Sequence, residues 1–128
     1  MKLLLDTHTF IWWDSQADKL SPEIISLCKD RTNTLYLSVA SVWEMQIKTQ
    51  LRNLTLNMPL DEVIESQRLK NRIQILPIEL EHVLTINQLP YLHKDPFDRM
   101  LVAQALAEKM IILSKDSDLR KYPVTVIW

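Results

Sequence analysis

Four carboxylates stand at places where the sequence marks the end of a strand or the start of a helix. Asp6 closes the apolar run Leu3-Leu4-Leu5, and Asp116 follows the run Met110 to Leu113 by three residues. Glu44 follows the run Leu35 to Val39, in the first turn of a helix expected from Ser41 to about Gln50. Asp98 opens the longest apolar helix, which reaches to about Lys109. Acids drawn together repel one another unless a cation or a proton neutralises them. An oxygen-rich cluster of this kind suits magnesium or manganese and not zinc. An ion held there would activate water and shield negative charge growing on a substrate under attack. Each acid also has an ordinary role open to it. Glu44 can pair with Lys48 at i, i+4, Asp98 can cap its helix, Asp6 can close a turn, and Asp116 can share a solvated loop with Asp118.

Joint placement distinguishes the readings, and it depends on the elements that carry the acids. Short apolar runs alternate with helical segments. Strands are expected at Leu3 to Leu5, Leu35 to Val39, Ile73 to Ile78, Met110 to Leu113 and Val124 to Ile127. Ser21-Pro22-Glu23 reads as a cap with proline at the first helical position, opening a helix through about Lys29. Pro59 opens another helix, and a further one runs from Glu79 to about Leu89, stopped by Pro90. Strands that are apolar throughout and separated by helices imply a parallel sheet covered on both faces. The expectation is an α/β sandwich of about five strands. Ligands gather at the carboxyl ends of the strands in such folds, and all four acids map to that edge.

The 128 residues fit a single domain, residues 1–128, with 47% hydrophobic residues to form its core. No apolar run approaches the roughly 18 residues that span a bilayer. The opening Met1-Lys2-Leu3-Leu4-Leu5-Asp6 meets an acid too early for a signal peptide, so a soluble, cytoplasmic protein is expected. Cys28 stands alone, which excludes an intramolecular disulfide and a thiolate metal cluster. Its spacing from Ile24 and Ile25 points to a buried, inert thiol. The formal net charge of −1, from 15 basic and 16 acidic residues, argues against a broad basic surface for nucleic acid. A polyanionic substrate would need local contacts or a metal. The chain has no glycine, so phosphate loops and dinucleotide fingerprints built on glycine are excluded. Asn and Asp are then expected at turn positions with positive φ.

The stretches LLLDTHTFIWW, LSVASVWEMQIK, HKDPFDRMLVAQALAEKMIILSKDSDL and VTVIW resemble, in order and spacing, the PIN domain in its VapC-type toxin branch. The resemblance runs from Leu3 to Trp128. It implies a three-layer α/β/α PIN-like domain with a parallel sheet of about five short strands. It also implies a Mg²⁺- or Mn²⁺-dependent endoribonuclease, usually a homodimer, acting on RNA and held inactive by a cognate antitoxin protein. Asp6, Glu44, Asp98 and Asp116 occupy the positions of the family's catalytic, metal-binding acids. The chain departs from the family at Arg52, where glycine is frequent, and at Ser114, where threonine is frequent; neither change removes a ligand.

The remaining polar residues leave alternatives open. Thr7, Ser38, Ser41 and Ser114 stand beside the acids in sequence and can orient carboxylates, while Ser41 can equally cap a helix. Asp95 can support Arg99 or its loop. Lys94, Arg99, Lys115 and Arg120 can contact phosphates or remain solvated. The histidines lack zinc spacing: His82 is expected on an exposed or half-buried helix face, and His8 and His93 in structural roles near the site. Trp12, Trp13, Trp43 and Trp128 are core candidates, with one of the adjacent pair Trp12 and Trp13 turned toward an interface. A haloacid-dehalogenase-type magnesium-dependent phosphatase also begins with an acid after its first strand, but it needs a second Asp where His8 stands. A receiver domain needs its acceptor Asp after a central strand, and no later strand supplies one before Asp116. A non-catalytic PIN-like binding module would keep the fold without hydrolysis; metal-dependent cleavage of generic RNA separates it from a nuclease.

Overall fold

The computed structural model describes all residues from Met1 to Trp128. Five strands form one parallel sheet: β1 (Lys2–Leu5), β2 (Thr34–Ser38), β3 (Gln74–Leu76), β4 (Ile111–Leu113) and β5 (Val126–Ile127), in the order β3-β2-β1-β4-β5. The helices are α1 (Thr7–Ser15), α2 (Pro22–Lys29), α3 (Val39–Gln50), α4 (Leu60–Asn71), α5 (Leu80–Ile86) and α6 (Pro96–Glu108). Short 3-10 turns follow α1 at Ala17–Lys19 and β4 at Ser117–Lys121.

Leu3, Leu4 and Leu5 are fully buried because β1 is the central strand with helices on both faces. Their side chains alternate as the pleat requires. Leu3 and Leu5 join Phe10, Ile24, Met45 and Val63, from α1 to α4, in one core cluster. Leu4 joins Leu101, Val102 and Ala105 of α6, with Ile112, in the other. The layering follows from the connections. From β1 the chain steps outward through β2 to β3, then returns past β1 to β4. Right-handed crossovers in opposite directions place their helices on opposite faces. The reversal leaves a crevice at the carboxyl ends of β1 and β4, where ligands of open α/β sheets bind.

Local signals act as expected in several places. Ser21 accepts from the Ile24 N–H and Pro22 follows it at the start of α2. β3, β4 and β5 are shorter than the apolar runs suggest, and β2 ends at Ser38 because Val39 already belongs to α3. Ser38 caps that helix through the Ala40 N–H, a role open to Ser41 from sequence. Glu44 consequently lies in the second turn of α3 and not the first. His82 is fully buried, contrary to the expected exposed or half-buried face. Its Nδ1 accepts from the Glu79 N–H and its Nε2 lies 2.8 Å from Glu108. Cys28 is buried and desolvation pushes its thiol up to about 12, in keeping with an inert thiol.

The positive-φ positions are Arg52, Arg72 and Lys109, not Asn or Asp. Arg72 and Lys109 end α4 and α6 in the left-handed conformation, which disfavours any residue with a Cβ. Replacing either by glycine is therefore expected to stabilise the fold by roughly 0.5–1 kcal/mol, after allowing for glycine's extra freedom in the unfolded chain. Urea unfolding of Arg72→Gly and Lys109→Gly checks this through a higher midpoint at unchanged slope. A lower midpoint for both would contradict it.

Candidate metal-binding active site

Asp6 follows β1 directly and caps α1, accepting the Thr9 N–H on Oδ1 at 2.8 Å. Its Oδ2 accepts from the Ser114 hydroxyl, which stands just beyond β4. Parallel pairing of Leu5 with Leu113 makes this contact unavoidable. Only 7% of the Asp6 surface remains exposed. Burial raises its carboxyl above the ordinary value, and the Ser114 and Thr9 hydrogen bonds counter part of that rise.

Glu44 is also buried, and both of its oxygens are engaged. Oε1 accepts from the Thr7 hydroxyl at 2.6 Å, and Oε2 meets Lys48 Nζ at 2.6 Å. The i, i+4 ion pair and the orienting role of Thr7 therefore coexist, each using one oxygen. Asp116 sits at the start of the 3-10 turn, its backbone N–H donating to Ser114 Oγ at 3.0 Å and its Oδ1 accepting the Asp118 N–H at 2.9 Å. Asp98 lies in the first turn of α6, but the cap is Asp95, which accepts from the Phe97 and Asp98 N–H groups. The bland reading of Asp98 as the cap thus gives way, and its carboxyl is left free of backbone bonds.

His93 is the residue that sequence reasoning underrated. Its Nε2 lies 3.1 Å from Asp98 Oδ2 and 3.2 Å from Asp116 Oδ2. His93 Nδ1 accepts the Asp95 N–H at 3.1 Å, so the ring's hydrogen must sit on Nε2. There it points at the two carboxylates. His93, Asp98 and Asp116 each offer one ligand atom, all within 4.8 Å of one another. In this tautomer the imidazole is a hydrogen-bond donor, and the lone pairs available to a cation are carboxylate oxygens. That donor set fits magnesium or manganese. The available signal was a histidine in the loop between Pro90 and Pro96, just ahead of an acid-bearing helix.

The electrostatics tie Asp98 to Asp6 and Glu44. Desolvation, and then the neighbouring charge of Asp95, push the Asp98 carboxyl up to about 7. His93 opposes the rise, while Asp6 and Glu44 add to it. Asp116 joins them through His93 Nε2, which lies between its Oδ2 and that of Asp98 at the crevice beside β1 and β4. Two openings flank them. One of about 210 Å³ is lined by Asp6, His8, Thr9, Trp12, Lys115 and Asp116. The other, of about 370 Å³, is lined by Glu44, Lys48, Lys94 and Phe97 among others.

With this geometry, the family model of the PIN domain matches residues 3–124. The chain belongs to the PIN domain family. The chain is 26% identical over 129 residues to Ribonuclease VapC22 of Mycobacterium tuberculosis, covering 97% of each. This PIN domain also shares its fold with solved structures of low identity. It aligns with VapBC2 from Rickettsia felis, bound to a DNA fragment from its promoter, at a TM-score of 0.74, 15% identity and 99% and 98% coverage of the two chains. The corresponding values for DNA-bound VapBC from Salmonella typhimurium are 0.70, 13%, 99% and 97%.

Other candidates distribute unevenly over the PIN fold. Lys94 and Lys115 line the two openings. Arg99 does not face the acids: it donates to the Pro90 and Ile86 carbonyls and stacks on Tyr91 with 4.9 Å to the ring centre. Arg120 is exposed in the 3-10 turn. Asp118 pairs with Lys121 at 2.9 Å. Ser38 bonds Gln104 and not an acid, and the buried Ser41 hydroxyl has no hydrogen-bond partner. His8 is exposed and packs on Trp12. Trp12, Trp13 and Trp128 are partly buried against the core, whereas Trp43, expected there too, is 60% exposed.

The raised Asp98 carboxyl gives a pH dependence with a definite sign. Its unfolded value is near 3.8 and its folded value about 7, so folding takes up a proton between those limits. In chelator, stability from this group falls as pH rises from about 4 to 7 and stays low above. Asp98→Asn removes the deficit. The variant is expected to melt higher than the parent by roughly 3–8 °C at pH 8 and to lose that advantage toward pH 4. Calorimetry in EDTA at both pH values tests it; an equal gain at both would sink the explanation.

Proposed function

We propose that this chain is a Mg²⁺- or Mn²⁺-dependent endoribonuclease with Asp6, Glu44, Asp98 and Asp116 as its catalytic and metal-binding acids. The observation that carries the reading is the gathering of these acids at the crevice of a PIN domain, with Asp98 pushed up to about 7 in a setting that includes Asp6 and Glu44, and joined to Asp116 through His93 Nε2. A metal bound there supplies a water of lowered pKa and positive charge opposite the phosphate. Asp6 is held in a fixed orientation by Ser114 and the Thr9 N–H, so its oxygens are aimed before any ligand arrives. Glu44, with Thr7 and Lys48 on its two oxygens, anchors the wall of the site and keeps a cation beside it. Asp98 and Asp116 offer the more accessible carboxylates, at 20% and 37% side-chain exposure. His93 Nε2 keeps a hydrogen between them.

The kinship with a protein named Ribonuclease VapC22 supports RNA as the substrate. The VapBC complexes that share the fold support a toxin role with a cognate antitoxin protein as partner. An antitoxin segment that brings Arg or Lys to the carboxylates would replace the metal's charge and block phosphate entry. A homodimer and a cytoplasmic location complete the reading. No helix is long and apolar enough to cross a membrane.

RNA cleavage by the purified chain is expected to stop in EDTA and return with Mg²⁺ or Mn²⁺. Asp6→Asn and Asp98→Asn should each lower the rate at least about a hundred-fold, and Ser114→Ala by about 10–100-fold because it only orients Asp6. Full activity after exhaustive metal removal, or in a folded Asp98→Asn protein, would refute the metal site. Harmless strong expression of the active chain in source cells without a partner gene would count against the antitoxin.

A further inference from the structure

Another opening lies at the far edge of the sheet, away from the acids. It holds about 390 Å³, within the range of ligand clefts. Thr34 at the start of β2 and Gln74 at the start of β3 line it, so it stands at the amino ends of the strands, whereas the acids stand at the carboxyl ends. Helices α2 and α4 both end there and deliver Lys29 and Arg72, and Arg31 follows in the turn into β2.

Floor and rim differ in chemistry. Trp13 is half-buried and Cys28 and Leu35 are buried, which makes the floor largely apolar. The indole N–H of Trp13 is buried and has no hydrogen-bond partner. It can only donate, and native structures leave few buried donors unmet without a reason. Asn71 lines the same opening; its amide N–H donates to Gln67 Oε1 at 2.7 Å, and its oxygen is left for another donor. At the rim, Lys29, Arg31 and Arg72 are exposed and none takes part in an ion pair. The acid of the lining, Asp30, has its Oδ1 tied to the Thr32 N–H at 2.9 Å and the Thr32 hydroxyl at 2.7 Å. Lys29 and Arg72 have an ordinary role at helix carboxyl ends, where cations meet the dipole. That role accounts neither for Arg31 nor for the unmet indole N–H of the floor.

We propose that this opening binds a nucleoside monophosphate, with the base against Trp13 and the phosphate between Arg31 and Arg72. A flat polar heterocycle brings an acceptor to the indole N–H and a donor to the Asn71 oxygen. Planar guanidinium groups meet phosphate oxygens in pairs. Three cations against one acid make this edge locally positive in a chain whose formal net charge is −1. Free phosphate would satisfy the rim and leave the donor of the floor unmet, and a nucleoside without phosphate would do the opposite. The four residues of β1, at roughly 3.3 Å each, separate this edge from the acids. Binding therefore needs no metal and does not depend on the ribonuclease reading.

The test is calorimetric titration of the full chain with AMP, in EDTA so that no metal carries phosphate to the acids. Saturable binding with a Kd below about 1 mM is expected. Trp13→Phe keeps a ring and deletes the N–H, and should weaken binding about five-fold. Arg31→Gln combined with Arg72→Gln changes only exposed side chains and should weaken it more than about ten-fold. Adenosine and inorganic phosphate should each bind at least about ten-fold more weakly than AMP. The Trp13 indole N–H resonance, assigned by its loss in Trp13→Phe, should shift on saturation while that of Trp43 stays in place. Absence of AMP binding at about 10 mM overturns the site. Binding indifferent to the two arginine changes puts the nucleotide elsewhere and overturns it as well. Phosphate that binds as tightly as AMP, with the Trp13 resonance unmoved, would reduce the opening to an anion pocket and overturn the nucleotide. An RNA oligonucleotide that binds through Arg31 and Arg72 where AMP does not would assign this face to a polymer and sink the proposal too.

Discussion

Two neighbouring parallel strands that each deliver an acid at their carboxyl ends cannot keep those acids apart. Leu5 pairs with Leu113 in β1 and β4, so Asp6 and the segment carrying Ser114 and Asp116 leave the sheet side by side. Apolar layers on both faces make that sheet rigid, since Leu3, Leu4, Leu5, Ile112 and Leu113 are all fully buried. The fold cannot relax the repulsion by separating the strands. It must be met locally, by dipoles, by protons or by a bound cation.

The local answers are unequal, and the inequality gives the site its character. Glu44 receives a hydroxyl from Thr7 and a full positive charge from Lys48. Asp6 receives a hydroxyl and a backbone N–H, which orient it without neutralising it. Asp98 and Asp116 share a single His93 hydrogen. Asp98 is the least provided for, and burial, then the charge of Asp95, raises its carboxyl to about 7. Hydroxyls and amides cancel little net charge, so the cluster retains a deficit of positive charge. Under the proposed function a cation would fill that deficit, and hard carboxylate oxygens would favour magnesium or manganese.

The acids were legible in the sequence because each is tied to an element boundary that hydrophobic patterning reveals. Strand termini follow from apolar runs, and the parallel sheet then brings them to one edge. The two-residue shift in the start of α3, from Ser41 to Val39, arose because Val39 reads as the end of a strand by composition but follows the cap Ser38. His93 and Arg99 were harder, because their partners are set by how the loop from Pro90 to Pro96 folds back. In that loop Arg99 turns to the Ile86 and Pro90 carbonyls, and His93 takes the acids instead. His82 was misjudged for a related reason: its burial depends on Glu108 and the Glu79 N–H supplying both ring nitrogens. The positive-φ turns went to Arg72 and Lys109, where a cation at a helix carboxyl end gains from the dipole and offsets part of what the backbone conformation costs.

The aromatic pair at the rim joins these levels. Glu44 and Asp98 belong to helices that follow different strands and contribute to opposite sides of the sheet, so no backbone pairing sets the distance between them. What sets it is the contact of α3 with α6. Trp43 and Phe97, each one residue ahead of its acid, supply a rigid edge-to-face contact at that point. Aromatic pairs of this geometry are worth about 0.5–1.5 kcal/mol beyond the area they cover. A small interaction suffices here because the bulk of each helix is already fixed by its own core cluster. The pair therefore adjusts the spacing of two acids while leaving an indole surface beside them.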